Sequence, residues 1–463
     1  MCQKNTGASM IKMTLNEITE NLNGTLIGVN TEIYGVSIDT RTLQAGNLYI
    51  AIVGKNFDGH DFVDSAKDAG AVAVLTNKKL ETNLPQVLVK NTHSALGKLA
   101  AVWREKVPAK IVGVTGSNGK TTTKEMLAAI LSVNDCVLFT QGNLNNDIGV
   151  PLTLLKLSPE NRFAVIEMGA NHVGEIAYTS KISKADVVII TNVGAAHLEG
   201  FGDLNGVAKT KGEIIETLNP NGVAILNADD AFFDYWQNVA DSRKIITFGL
   251  HENANVCAEN IDVKIENHQF VTRFDLKTAS DEISVNLPLA GNHNVLNALA
   301  ATAATSALGI SLAQIKQGLE SMSPVKGRMQ LLRGNLGSTI VNDTYNANTS
   351  SLKAALDVLQ KCDCEHWVIL GAFGELGENT EQLHFEMGET LKNVGVKRLF
   401  AVGELTKKTV AAFGGNAQHF ASQTELLAVL IPELTGNETI LIKGSRSQRM
   451  ENITAALVET TGF

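Results

Sequence analysis

The stretch GVTGSNGKTTT, Gly113 to Thr123, gathers residues that suit anion chemistry. Gly116 and Gly119 let the main chain approach a ligand closely. Lys120 supplies a cation that reaches terminal phosphates, and the Thr121 hydroxyl suits a magnesium ion. The stretch departs from the spelling G-x-x-x-x-G-K-[ST] at one place, since Val114 stands where that pattern has its first glycine. That glycine belongs to the strand-to-loop turn, so the phosphate-facing end is intact. The alternative is a glycine turn beside one exposed lysine. The context favours a phosphate loop: an apolar run, Lys110 to Val114, precedes it, and a helical pattern, KTTTKEMLAAILS, follows. A helix that starts there directs unpaired N–H groups at an anion. The residues expected to contact a nucleotide's phosphates are Thr115, Gly116, Ser117, Asn118, Gly119, Lys120, Thr121 and Thr122.

Three further side chains follow in chain order. Glu167 ends the apolar run FAVIEMG, where a parallel sheet presents its C-terminal edge to ligand. Taken alone, it serves a magnesium ion or a salt bridge equally well. His197 follows VVIITNV and is either a metal ligand or a structural loop histidine. Lys211, in AKTKGEI, reads by itself as a solvated helical lysine.

These residues need a scaffold, and the pattern predicts one of the α/β class in three domains. Residues 1–107 read as a small N-terminal α/β domain of short strands and turns. Residues 108–322 alternate apolar runs (KIVGV, FAVIEMG, ADVVIITNV, GVAILNADD) with helical segments, which suits a parallel sheet covered on both faces. FVTRFDL and ISVNLPL alternate in polarity like antiparallel strands, and GNHNVLNALAATAATSALGI reads as a small-residue helix packed on the sheet. A turn-rich crossing, Ser321 to Arg333, leads to a Rossmann-like C-terminal α/β domain over 323–463.

Composition narrows the function. A chain of 463 residues with a net charge of −9 and no polybasic run excludes a nucleic-acid surface. No apolar stretch is long enough for a membrane span, and the polar start is no secretory signal, so a cytoplasmic protein is expected. The five cysteines are scattered and include no C-x-x-C, which fits reduced thiols; Cys362 and Cys364 receive no function.

The order GKT, strand-end Glu, loop His, helical Lys resembles the Mur ligase family, ATP-dependent amide ligases of peptidoglycan precursor synthesis whose phosphate loop is also spelled TGxxGKT. The resemblance implies that Glu167 and His197 bind Mg²⁺, two ions in all, and that a carbamylated Lys211 adds a further carboxylate, with Lys209 as its close neighbour. It implies that Asn294 and Asn297 lie near adenine, that Arg328 reaches the nucleotide phosphates and that Asp343 faces the ribose.

SIDTR, GKNFDGHDF, NDTYNAN and IKGSRSQRME are similar to the branch that adds D-alanyl-D-alanine to UDP-N-acetylmuramoyl-tripeptide. Ser37, Thr40, Arg41, Phe57, Asp58, Gly59 and His60 would then hold the uridine-linked substrate, and Asn346 and Asn348 the dipeptide. Thr349 stands where the family more often has proline, and Ala372-Phe373 where it has aspartate-methionine. A monomer is expected. The rivals are a folylpolyglutamate-type or other Mur ligase, and a nucleotide switch, which would need an N-K-x-D element that the chain lacks in the expected place.

Overall fold

A computed structural model of the protein describes residues 11–54, 56–194, 198–266, 269–361, 365–374 and 376–459. Its strands form three larger sheets, met in chain order, and a two-stranded pair, Lys12–Thr14 with Glu32–Tyr34. The first sheet runs Thr25–Ile27, Gln86–Leu88, Ala73–Thr76, Leu48–Ile50, Val36–Ser37, parallel except for its first pair. The helix Thr92–Lys106 leads out of it. Asn91 caps that helix by accepting from the Ser94 N–H, and the Trp103 indole donates to the Leu157 carbonyl, 2.9 Å away in the second unit.

The second sheet has nine strands. Lys110–Thr115 lies between Phe163–Glu167 and Val187–Ile190 and is parallel to both. Its side chains are apolar on both faces because helices cover both. Val112 and Val114 join one core with the helices Lys120–Leu131 and Asn292–Ala307. Ile111 joins the opposite core with Glu175–Ser183 and Leu204–Glu216. The chain passes from the Phe163–Glu167 side to the Val187–Ile190 side, so the order in which strands are added reverses. That reversal opens a crevice at the carboxyl ends of the strands.

Beyond Val223–Asn227 and Lys244–Phe248, the sheet finishes in the antiparallel strands Val256–Glu266, Gln269–Thr278 and Glu282–Leu287. Ala298, Ala301 and Ala304 of Asn292–Ala307 are fully buried, and their size lets this helix lie close against the sheet.

The third sheet has six strands. Thr339–Asp343, Glu438–Lys443, Glu365–Gly371, Arg398–Val402 and Ala417–Phe420 are parallel in that spatial order. Gln330–Arg333 adds an antiparallel edge to Thr339–Asp343. The crossing expected to be turn-rich therefore ends in a strand, because QLLR pairs through a hairpin closed at Asn335–Gly337. Among the described residues, no helix is long and apolar enough to cross a membrane.

Candidate active site

The phosphate loop leaves its strand at Thr115, whose hydroxyl donates to the Met168 carbonyl (2.9 Å). Val114 is a fully buried strand residue and takes no part in the turn. Gly116 (φ 145°) and Gly119 (φ 80°) sit in backbone conformations that side chains rarely adopt. A Cβ on Gly116 would overlap Thr191 Oγ1, and one on Gly119 would overlap Asn297 Oδ1. The neighbouring strand end clamps the loop: the Ser117 N–H donates to the Asn192 carbonyl (3.0 Å), the Asn118 N–H to Asn192 Oδ1 (3.0 Å), and the Thr191 hydroxyl to the Asn118 carbonyl (2.6 Å). Lys120 folds over the loop and donates to the carbonyls of Gly116 (2.6 Å) and Ser117 (3.2 Å). Burial lowers its pKa against the pull of Glu167, and Arg328 lowers it further.

Glu167 is buried at the end of its strand. Its Oε1 accepts from Asn145 Nδ2 (2.8 Å) and from the Thr121 hydroxyl (3.2 Å), and its N–H donates to Thr140 Oγ1 (3.0 Å). The Thr140 carbonyl in turn accepts from buried Lys124 (2.8 Å). Glu167 Oε2 is buried and has no partner among the described residues. An unpartnered carboxylate oxygen beside a threonine hydroxyl is a donor set that suits a hard divalent cation, so the chain fits magnesium here. His197 lies outside the described residues, as do Cys362 and Cys364. Among the described residues, no group of three or more His, Cys, Asp or Glu is placed to hold a metal ion.

Lys211 is not the solvated lysine its local sequence suggests. Within Leu204–Glu216 it shares the buried face with Val207, Ala208, Ile214 and Ile215, while Lys209 points to solvent. Its ammonium lies 5.5 Å from the centre of the Phe201 ring. Burial first, then the charge of Lys120, pull its pKa down to about 7 against the opposing carboxylates of Glu213 and Glu175.

The C-terminal unit closes the other side. The Arg328 guanidinium stacks over Tyr345, 4.3 Å from the ring centre, and its Nη2 donates to the Thr121 hydroxyl (3.0 Å). Asp343 and Lys443 end adjacent parallel strands and form a buried ion pair, and Asp343 also accepts from the Met329 N–H (3.2 Å). The Asn346 carbonyl accepts from Lys443 (3.3 Å). Asn348, expected at the dipeptide, lines the cavity described below and has both ends of its side chain engaged. Its Oδ1 caps the helix Thr349–Leu359 at Ser351, and its Nδ2 donates to Asn118 Oδ1 (2.8 Å). Asn118 Nδ2 donates onward to the Ser350 hydroxyl (3.0 Å).

Two adjoining cavities result. One, of about 330 Å³, is lined by Lys120, Thr121, Glu167, Lys211, Arg328 and Asn346 among others. The other, of about 270 Å³, has Phe248, Leu289 and Met329 with Asn294 and Asn297, whose amides are hydrogen-bonded to each other (3.2 Å). An apolar slot with two fixed amides suits a planar base. Asn118, Gly119, Arg328 and Asp343 line both cavities.

The residues expected to hold a uridine-linked substrate line neither. Ser37 Oγ donates to the Asp39 carbonyl (2.9 Å), and Arg41 pairs with Asp39 (2.6 Å). Asp58 bonds to His60 and Lys78, and Phe57 stands exposed beside Phe62. Asn145, Tyr345 and Lys443 are site residues that sequence reasoning passed over. Each lines the first cavity and touches one of the expected residues, and the signals that could have found them are the asparagine cluster in GNLNND and the runs NDTYNAN and IKGSRS.

Three family descriptions match in order: "Mur ligase family, catalytic domain" at 32–104, "Mur ligase middle domain" at 114–305 and "Mur ligase, glutamate ligase domain" at 327–446. The chain belongs to the Mur ligase family. Among similar Mur ligases, the UDP-N-acetylmuramoyl-tripeptide–D-alanyl-D-alanine ligase of Escherichia coli K12 is 44% identical over 453 residues, 97% of this chain and 99% of that one. MurF from Acinetobacter baumannii superposes with a TM-score of 0.91 at 36% identity, over 97% of this chain and 99% of that one. MurF from Thermotoga maritima, solved in complex with ADP, superposes at 0.82 with 29% identity, over 91% and 96%. This Mur ligase thus superposes on solved relatives along nearly its whole length.

Proposed function

We propose that this Mur ligase joins D-alanyl-D-alanine to UDP-N-acetylmuramoyl-tripeptide, using ATP and passing through an acyl phosphate. The observation that carries the reading is the meeting of Lys120, Thr121, Glu167 and Lys211 with Arg328 and Asn346 in one cavity between two units, in a chain similar at full length to ligases of that name. The units 1–107, 108–322 and 323–463 take the uridine-linked substrate, ATP and the dipeptide respectively.

A carboxylate is a poor acyl donor until activated. An oxygen of the tripeptide carboxylate attacks the γ-phosphorus, the bond to the bridging oxygen breaks, and ADP leaves. Lys120 and the N–H groups at the start of the helix Lys120–Leu131 hold the phosphates in line, and Arg328 adds positive charge from the opposite wall. Asn294 and Asn297 orient the base, and Asp343 the ribose. Thr121 and Glu167 would hold one magnesium ion, and His197 with a carbamylated Lys211 a second; such ions supply neutralising charge during phosphoryl transfer. The dipeptide amine, placed beside Asn346, then attacks the acyl carbon, loses a proton, and phosphate departs. Closure of the C-terminal unit excludes the water that would hydrolyse the acyl phosphate.

The test is release of phosphate from ATP by purified protein given the muramoyl tripeptide and D-alanyl-D-alanine, with product mass read in parallel. Release that requires both substrates is expected, and release with a single amino acid in place of the dipeptide would overturn the assignment.

A further inference from the structure

Five cationic side chains line the cavity between the phosphate loop and the C-terminal unit: Lys120, Lys211, Arg328, Lys443 and Arg446. Four are already engaged. Lys120 is bonded to loop carbonyls, and Arg328 to the Thr121 hydroxyl beside Glu167. Lys443 is buried against Asp343 and the Asn346 carbonyl, and Lys211 is buried over Phe201.

Arg446 is different. Its side chain is 65% exposed, and one guanidinium nitrogen, Nη1, meets Glu451 Oε1 at 3.0 Å. The guanidinium lies 6.0 Å from the centre of the Tyr345 ring, the same ring that carries Arg328. The residue before it, Ser445, is held at both its hydroxyl and its N–H. The Ser445 hydroxyl accepts from the Gly374 N–H (2.7 Å), and the Ser445 N–H donates to the Ala372 carbonyl (3.3 Å). The arginine is therefore anchored at its base, steadied by an aromatic ring, and open along the rest of its planar fork.

The acceptor peptide of the proposed reaction brings a requirement of its own. Its amine must reach the acyl carbon, while its carboxylate ends up to roughly 7 Å away along the extended dipeptide. That carboxylate is repelled by nucleotide phosphates and by Glu167, so it needs a cation outside the phosphate cluster. A planar fork that donates to one carboxylate through a single nitrogen keeps donors for a second, through paired charge-assisted hydrogen bonds.

We infer that Arg446 binds the terminal carboxylate of the acceptor peptide and so sets the preference for a free acid at that end. The inference rests on the ligase reading above. It makes Arg446 a specificity-determining residue with no part in ATP binding.

The experiment compares D-alanyl-D-alanine with D-alanyl-D-alaninamide, by phosphate release, in wild type, Arg446→Ala and Arg446→Lys. Wild type should prefer the acid by about 10- to 100-fold in kcat/KM. Arg446→Ala should lose that preference through a higher KM for the acid, with KM for ATP and for the uridine-linked substrate within about twofold of wild type. Arg446→Lys should recover part of the preference. A wild type indifferent to the amide overturns the inference, as does an alanine variant that weakens acid and amide alike. A wild type that turns over neither dipeptide overturns the ligase reading first, and this inference with it. The unchanged KM for ATP separates a folded variant from a damaged one.

Discussion

Lys211 holds its proton weakly, with a pKa of about 7 imposed by burial and by Lys120. At pH 8 more of it is the neutral amine than in an ordinary lysine, which is almost wholly charged; the neutral amine is the form whose lone pair attacks carbon dioxide to give a carbamate and a proton. Wild-type phosphate release should therefore rise when bicarbonate is restored to a depleted preparation. Lys211→Ala should be slower by on the order of 100-fold and indifferent to bicarbonate; an alanine variant as fast as wild type would remove the carbamate from the scheme. The same shift has a stability consequence in the unmodified protein. Between the folded value near 7 and the ordinary value of 10.5, the unfolded chain binds more protons than the folded one. Stability from this group is thus complete above 10.5 and is lost as pH falls through 7. Wild type without bicarbonate should lose thermal midpoint across that window more steeply than Lys211→Met. None of this was legible locally: Lys209 and Lys211 are two residues apart on one helix, and only the packing of Val207, Ala208 and Ile215 decides which is buried. The role of Asn145 was hidden for a related reason, because its amide meets Glu167 only once the loop after Val137–Phe139 folds back. Asn145→Ala should lower kcat by about tenfold or more with little change in KM for the dipeptide, read by steady-state kinetics.

At the scale of elements, a buried imidazole organises the turn after the strand Glu365–Gly371, whose Gly374 lines the first cavity. His384 Nε2 accepts from the Phe373 N–H (3.1 Å), and its Nδ1 donates to the Thr380 carbonyl (2.8 Å), which requires the neutral ring with its proton on Nδ1. Burial lowers the pKa of this ring, in keeping with that role. His384→Phe leaves a buried N–H and carbonyl unpaired and should cost about 1–3 kcal/mol, visible in chemical denaturation. The histidine was not singled out from sequence, since a lone histidine in a helical pattern carries no local mark of its partners. The central strands were legible for the opposite reason. Runs such as VVII and FAVIE are apolar on both faces, a pattern that suits a doubly covered parallel strand. The edge strand Gln330–Arg333 was not, because it is short, partly exposed and made by its hairpin partner. Phosphate-loop spelling pointed to the strand–loop–helix turn despite Val114, whose side chain fills core instead of a turn.

At the scale of the molecule, the C-terminal unit touches the phosphate loop through two sets of bonds: Asn348 and Ser350 on Asn118, and Arg328 on Thr121. The contact tests closure directly. Ser350→Ala removes a partner of Asn118 while leaving the Asn348 cap in place. It should raise KM for ATP a few-fold and enlarge the radius of gyration in small-angle scattering, with thermal stability nearly unchanged. Asn348→Ala should do the same and also lower stability by about 1 kcal/mol through loss of the cap; equal stability for the two variants would deny the cap its share. On the proposed reading, Asn118 belongs to two assemblies at once, the cradle for phosphate and the seam between units. An inhibitor wedged into that seam would need no likeness to any substrate. Resistance by substituting Asn118 or Asn348 would damage the contact the enzyme itself uses, so escape at those positions is self-defeating.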